Sequence, residues 1–169
     1  MKILATFDRS KLSEEILPQL EMIARLPGVE FTLLGIARTP EGRISRHGDM
    51  ATAVGAAITQ AESSIVDARD VQWAENKGQA IDRARAEMED YLRGIAHRLP
   101  ASATVNVDAR VSDHAAETII LCAEALQPDV IVMATHSRTG IAHILFGSTT
   151  EHVVKSGVAP VLVVHPRGA

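Results

Sequence analysis

Two short apolar runs near the carboxyl end, Val130-Ile131-Val132-Met133-Ala134 and Pro160-Val161-Leu162-Val163-Val164, constrain the fold most. Both read as strands buried on two faces, the signature of a parallel sheet covered by helices. Between them lie a loop, Thr135-His136-Ser137-Arg138-Thr139-Gly140, an apolar stretch from Ile141 to Phe146, and Gly147-Ser148-Thr149-Thr150, which opens a helix. A loop at the carboxyl end of a parallel strand, followed by Gly-Ser-Thr-Thr at a helix start, is a place where backbone N–H groups meet an anion. The expected ligand therefore carries phosphate.

The rest of the chain repeats the strand–helix alternation. Lys2–Phe7 is a first apolar strand, ended by Asp8-Arg9-Ser10, residues that favour turns and helix caps. A helix is expected from about Lys11 to Arg25, with Leu12, Ile16, Leu20 and Ile23 on one face. Pro18 should kink it or lie near its first turn, and Leu26-Pro27-Gly28 should stop it. Glu30–Ala37 is the second strand. Gly48 to Leu99 carries no strand signal and reads as a long helical insertion: Ala51–Ile65 is alanine-rich, and Ala80–His97 has Ile81, Ala84, Met88, Tyr91 and Ile95 on one stripe, with a break expected at Asn76–Gly78. Thr104–Arg110 alternates as a third strand, and Ser112-Asp113 is expected to cap a helix running to about Leu126. Five strands separated by helical segments imply one domain over residues 1–169, with a mainly parallel sheet and helices on both faces. Ligands of such sheets sit beyond the carboxyl ends of the strands, where the strand order reverses. If the first and fourth strands are neighbours, Asp8 and Ala134–Ser137 line one crevice.

Composition narrows the function. Hydrophobic residues make up 46% of the 169 but aromatics only 3%, so the core must be built from Ala, Val, Ile and Leu. A net charge of -4 leaves no basic surplus for a nucleic-acid backbone, so nucleic acid is not an expected partner. One cysteine, Cys122, excludes an intrachain disulfide and a cysteine-cluster metal site, and its apolar helical surroundings make it a small buried hydrophobe. No apolar run approaches the ~18 residues of a membrane span, and the first apolar run is too short for a signal peptide. A soluble cytoplasmic protein with no membrane partner is expected.

The pattern resembles the universal stress protein family over nearly the whole chain. The resemblance rests on Thr6-Phe7-Asp8-Arg9-Ser10 after the first strand, on Pro128 to Gly140, and on Gly147-Ser148 before Val158-Ala159-Pro160-Val161-Leu162-Val163-Val164. It implies a five-stranded parallel sheet of order 3-2-1-4-5, the adenine-nucleotide alpha-hydrolase-like arrangement. It also implies a homodimer built through the last strand, Val158–Val164, whose edge would otherwise invite aggregation. Some members bind ATP through a motif of Gly, two residues, Gly, nine residues, then Gly followed by Ser or Thr. Laid on this chain, those positions are Ala134, Ser137, Gly147 and Ser148: the spacing is intact, but two of three glycines are replaced. Asp8 matches the family's adenine-side aspartate, Arg9 stands where many members have glycine, and Ile36 matches an apolar position beside the adenine. Ser148, Thr149 and Thr150 offer hydroxyls and amides as a phosphate cradle.

The resemblance thus implies a nucleotide site of Thr6, Asp8, Ile36, Met133, Ala134, Ser137, Gly147, Ser148, Thr149 and Thr150. Its ligand would be ATP or a related adenine nucleotide, with Mg²⁺ only alongside the nucleotide. The alternative is a dimeric stress-response adaptor that binds no nucleotide, its crevice narrowed by Ala134 and Ser137. An enzyme using His136 with Asp8 as an acid–base pair is disfavoured, because Gly-x-Ser-x-Gly is absent. There is likewise no Gly-x-x-x-x-Gly-Lys-Ser/Thr and no Gly-x-Gly-x-x-Gly. Of the histidines, His143 and His152 are nine apart with no clustered acids, so no metal site is expected. No catalytic residue is assigned; hydrolysis, if present, would be slow. Trp73 is expected to pack onto the fold, and the acidic and basic residues of Asp82–Arg93 to form exposed ion pairs of little energetic value.

Overall fold

The structure, a computed structural model, describes residues 1–40, 77–135 and 146–165. Its described elements run β1 (Lys2–Phe7), a 3-10 helix (Ser13–Ile16), α1 (Leu17–Ile23), β2 (Glu30–Ala37), α2 (Lys77–Ala96), β3 (Thr104–Val111), α3 (Ala115–Leu126), β4 (Val130–Ala134), α4 (Ser148–Ser156) and β5 (Val161–Val164). Among the described residues they form one five-stranded sheet of order β3-β2-β1-β4-β5. Every pair is parallel, with Phe7 opposite Gly35, Ala5 opposite Val132, and Ala134 opposite Val164. The expected architecture and strand order are those found. The Ala51–Ile65 helix, Trp73 and most of the 48–99 insertion lie outside the described residues, as do Ser137, His136 and His143.

Alternation along the strands builds two cores. Ile3, Ala5 and Phe7 of β1, Phe31 and Leu33 of β2, and Val132 of β4 face one side. There they pack against Ile16, Leu17 and Leu20 and against Met88, Leu92 and Ile95 of α2. Leu4, Leu34, Ile131 and Met133 face the other side, against Ala116, Ile119 and Ala123 of α3 and Val153 of α4. Each fully buried Leu, Ile or Phe contributes about 1.5–3 kcal/mol, so the aliphatic core carries the stability that aromatics supply elsewhere. Gly35 sets the spacing of α2 on the sheet. A Cβ there would lie 2.5 Å from Met88 Sδ, 2.7 Å from Met88 Cγ and 2.9 Å from Leu92 Cδ1.

Several boundaries differ from the sequence expectation, each for a local reason. The helix expected over 11–25 divides into the 3-10 turn and α1, because Pro18 lies in the first turn of α1 and cannot donate to the turn before it. α3 begins at Ala115, and Ser112 and Asp113 do not cap it. Ser112 Oγ instead accepts from His114 N at 3.0 Å, and Asp113 Oδ1 accepts from Thr39 N at 3.0 Å, tying the turn after β3 to the turn after β2. The last strand starts at Val161 rather than Val158; Pro160 has no N–H, and only its carbonyl joins the ladder, accepting from Ile131 N. β3 extends one residue to Val111. The exposed pairs expected on α2 are present: Arg83 with Glu87, and Arg93 with Glu89 and Asp90. Cys122 is half-buried, and burial raises its thiol pKa. No helix among the described residues is long and apolar enough to cross a membrane.

Candidate functional site

A cleft of about 890 Å³ lies over the carboxyl edge of the sheet. Strand order reverses between β1 and β4: β1 continues to β2 on one side, and the chain crosses over to β4 on the other. The two connections leave in opposite directions there, so the strand ends open into a crevice.

Nine of the ten candidate residues line this cleft. Thr6, at the end of β1, is buried, and Asp8 follows at the surface. Ile36 ends β2, and Met133 and Ala134 end β4. Gly147, Ser148, Thr149 and Thr150 form the start of α4. Ser137, the tenth, lies outside the described residues, and so does His136, so an Asp8–His136 pair is not among the described contacts.

The two motif glycine positions among the described residues, Ala134 and Gly147, explain part of the glycine pattern. Gly147 is the N-cap of α4 with φ of −67° and ψ of 158°, an extended conformation open to any residue. Glycine is therefore not needed there for a left-handed backbone. Its N–H donates to Thr135 Oγ1 at 3.1 Å, and the buried Thr135 thereby fastens the helix start to the end of β4. Because glycine has no side chain to cap with, the first-turn amides of α4 are left for other acceptors. Ala134 sits in the ladder opposite Val164, so its strand backbone has no need of glycine.

The loop carrying Asp8 is built by its own polar side chains. Asp8 Oδ1 accepts from Ser10 N at 2.9 Å; Ser10 Oγ accepts from Ser13 N at 3.0 Å; Ser13 Oγ donates to Ser10 O at 2.8 Å. Asp8 thus organises a turn while lining the cleft. Arg9 has φ of 65°. A side chain in the left-handed region costs about 1–2 kcal/mol, which glycine avoids. Its Nη1 donates to Glu87 Oε2 of α2 at 3.2 Å.

Behind the loop, Tyr91 of α2 stacks edge-on against Phe7, with ring centroids 6.4 Å apart at 73°. Its hydroxyl donates to Glu14 Oε1 at 3.2 Å, and Arg98 Nη1 donates to Glu14 Oε2 at 2.6 Å. Burial above all, with the Glu14 and Asp8 carboxylates adding to it, pushes the Tyr91 pKa up to about 12. These contacts lock the Asp8 loop to α2.

Sequence reasoning missed the far wall. Arg38 after β2, Ser112 and Asp113 after β3, and Ala84 and Met88 of α2 also line the cleft. The Thr39 hydrogen bonds hold the Asp113 carboxyl below its usual range, with smaller help from His114 and Arg38. Position just after a strand end was the signal available for Arg38 and Asp113; nothing in the local pattern distinguished Met88 from a plain core residue. Among the described residues, no three His, Cys, Asp or Glu side chains cluster as metal ligands.

A doubly wound parallel sheet with a cleft at its switch point and a helix amino end on one wall is the arrangement in which open α/β proteins hold their ligands. The chain belongs to the universal stress protein family: the profile described as Universal stress protein family matches residues 1–165. A universal stress protein of Mycolicibacterium smegmatis is 31% identical over 151 residues, covering 85% of this chain and 47% of that protein. The chain thus spans about half the length of that relative. Universal stress protein MJ0577 of Methanocaldococcus jannaschii is 46% identical over 48 residues, 28% of this chain and 30% of that one. The solved structure of MJ0577 is similar in fold, with a TM-score of 0.61 at 24% identity over 99% of this chain and 97% of that one. A universal stress protein family structure from Arabidopsis thaliana with AMP bound has a TM-score of 0.54 at 12% identity, covering 99% of this chain and 93% of that one.

Proposed function

We propose that this universal stress protein is a non-catalytic, cytoplasmic stress-response protein that binds an adenine nucleotide between β1 and β4. The observation that carries the reading is convergence: residues from four separate chain segments meet in one cleft at the switch point. Thr6, Asp8 and Ile36 take the base and ribose side. Met133, Ala134, Ser137, Gly147, Ser148, Thr149 and Thr150 take the phosphate side, where the α4 amides and hydroxyls stabilise negative charge. Mg²⁺ would enter only with a nucleotide. The AMP-bound Arabidopsis relative supports the ligand class. Hydrolysis, if any, is slow, since no general base is assigned. The protein works as a homodimer joined through β5, whose outer edge is unpaired among the described residues.

Calorimetric titration with ATP, with and without Mg²⁺, tests the site. The expected result is micromolar binding that Asp8→Ala weakens at least tenfold. The absence of binding, with no nucleotide co-purifying, would instead support the adaptor reading, which the methyl of Ala134 and the Ser137 replacement favour.

A further inference from the structure

Two arginines, Arg9 and Arg38, line the cleft beside the carboxylates Asp8 and Asp113, and the nucleotide reading leaves them unused. Arg9 directly follows Asp8 and lines the same cleft. Its φ of 65° keeps an arginine where glycine would be unstrained, and such outliers gather at ligand clamps. The guanidinium meets Glu87 at 3.2 Å, with the two side chains 47% and 52% exposed. A pair that exposed is weak and exchangeable, whereas a phosphate offers arginine a stronger, bidentate partner.

Arg38 adds a second cation, three residues beyond Gly35, which pairs with Phe7. The amino end of α4 lies across β1, at the end of β4. A ligand running across the strand ends from β4 to β1 passes from the helix amides to Arg9, which directly follows Asp8. In dinucleotide-binding folds, a carboxylate reads a free ribose hydroxyl, and a nearby arginine accommodates a phosphate on it. Here one oxygen of Asp8 is engaged by Ser10 N, and the arginine is the next residue.

We propose that Arg9 is a specificity-determining residue, and that the preferred ligand is an adenosine bisphosphate with one phosphate at the start of α4 and the second, on the ribose 2′ or 3′ oxygen, at Arg9. This rests on the nucleotide reading above. The test is calorimetry of the full chain with AMP, adenosine 3′,5′-bisphosphate and adenosine 2′,5′-bisphosphate. At least one bisphosphate is expected to bind tenfold or more tightly than AMP. Arg9→Gln should bring that ratio close to one, and Glu87→Gln, which releases Arg9, should raise it. Arg93→Gln, the same charge change on the exposed face of α2, should leave the ratio unaltered. AMP binding with a ratio near one, or a ratio unmoved by Arg9→Gln, overturns the inference and leaves the nucleotide site standing. Failure of all three ligands to bind overturns the inference; ATP binding to the same sample then leaves the nucleotide site standing, and no ATP binding overturns both.

Discussion

Gly35→Ala should loosen the protein and narrow its cleft together, because one contact serves both. The added Cβ would sit 2.5 Å from Met88 Sδ, 2.7 Å from Met88 Cγ and 2.9 Å from Leu92 Cδ1. Ordinary carbon contacts lie at about 3.5–4.0 Å, so α2 or its side chains must retreat by roughly 1 Å. Met88 and Leu92 are 1% and 0% exposed within the larger core cluster, so the new methyl must displace packed side chains, Met88 toward the cleft it lines. Overpacking of this kind costs about 1–3 kcal/mol. Alanine regains about 0.5–1 kcal/mol over glycine in a strand. The expected net loss is about 1 kcal/mol, within about 0–2.5 kcal/mol, or roughly 2–4 °C in Tm at the central value for a chain of this size.

Met88 also lines the cleft, so displacement toward the opening should weaken nucleotide binding as well. Urea unfolding gives the stability change, and a cycle with Met88→Ala isolates the cause. Alone, Met88→Ala should cost about 2–5 kcal/mol by leaving a cavity. Beside Gly35→Ala the cavity receives the new methyl, and the double variant should be more stable than the sum of the singles by about 1 kcal/mol or more. A stabilising Gly35→Ala, or strict additivity with Met88→Ala, would refute the reasoning that this glycine sets the helix-to-sheet distance.

Two further outcomes are expected. Tyr91 is the sole tyrosine, so tyrosinate absorbance reports it alone; its midpoint should be about 12 in the folded protein and about 10 in denaturant. Because the folded state holds this proton more tightly, its contribution is present below pH ~10 and declines as pH rises toward 12, so stability should fall across that window; coincident midpoints would sink the buried-hydroxyl account. Leu162, 40% exposed on the edge strand β5, should lie in the dimer contact; Leu162→Lys should shift light-scattering mass from dimer to monomer, and a dimer indifferent to this change would place the interface elsewhere.

What the linear chain determined here is the sheet and most of the candidate site. Lys2–Phe7, Glu30–Ala37 and Val130–Ala134 were legible residue for residue, because a strand buried on both faces leaves a continuous apolar run bounded by turn formers. Asp8, Ile36, Ala134 and Gly147–Thr150 were legible because each ends a strand or begins a helix, and the resemblance arranged them in order. Tertiary structure alone decided the opposite wall. Ser112 and Asp113 read as a helix cap, but Asp113 is drawn to Thr39 N, 74 residues earlier in the chain, by the pairing of β2 with β3. Met88 read as a core residue and is one, yet the absent Cβ of Gly35 lets it approach the sheet where the cleft opens. Arg9 read as a replaced glycine; only the folded backbone gives it a positive φ and brings Glu87 of α2 within reach. Periodicity records what each segment buries, whereas contacts between segments far apart in sequence depend on strand order and helix docking.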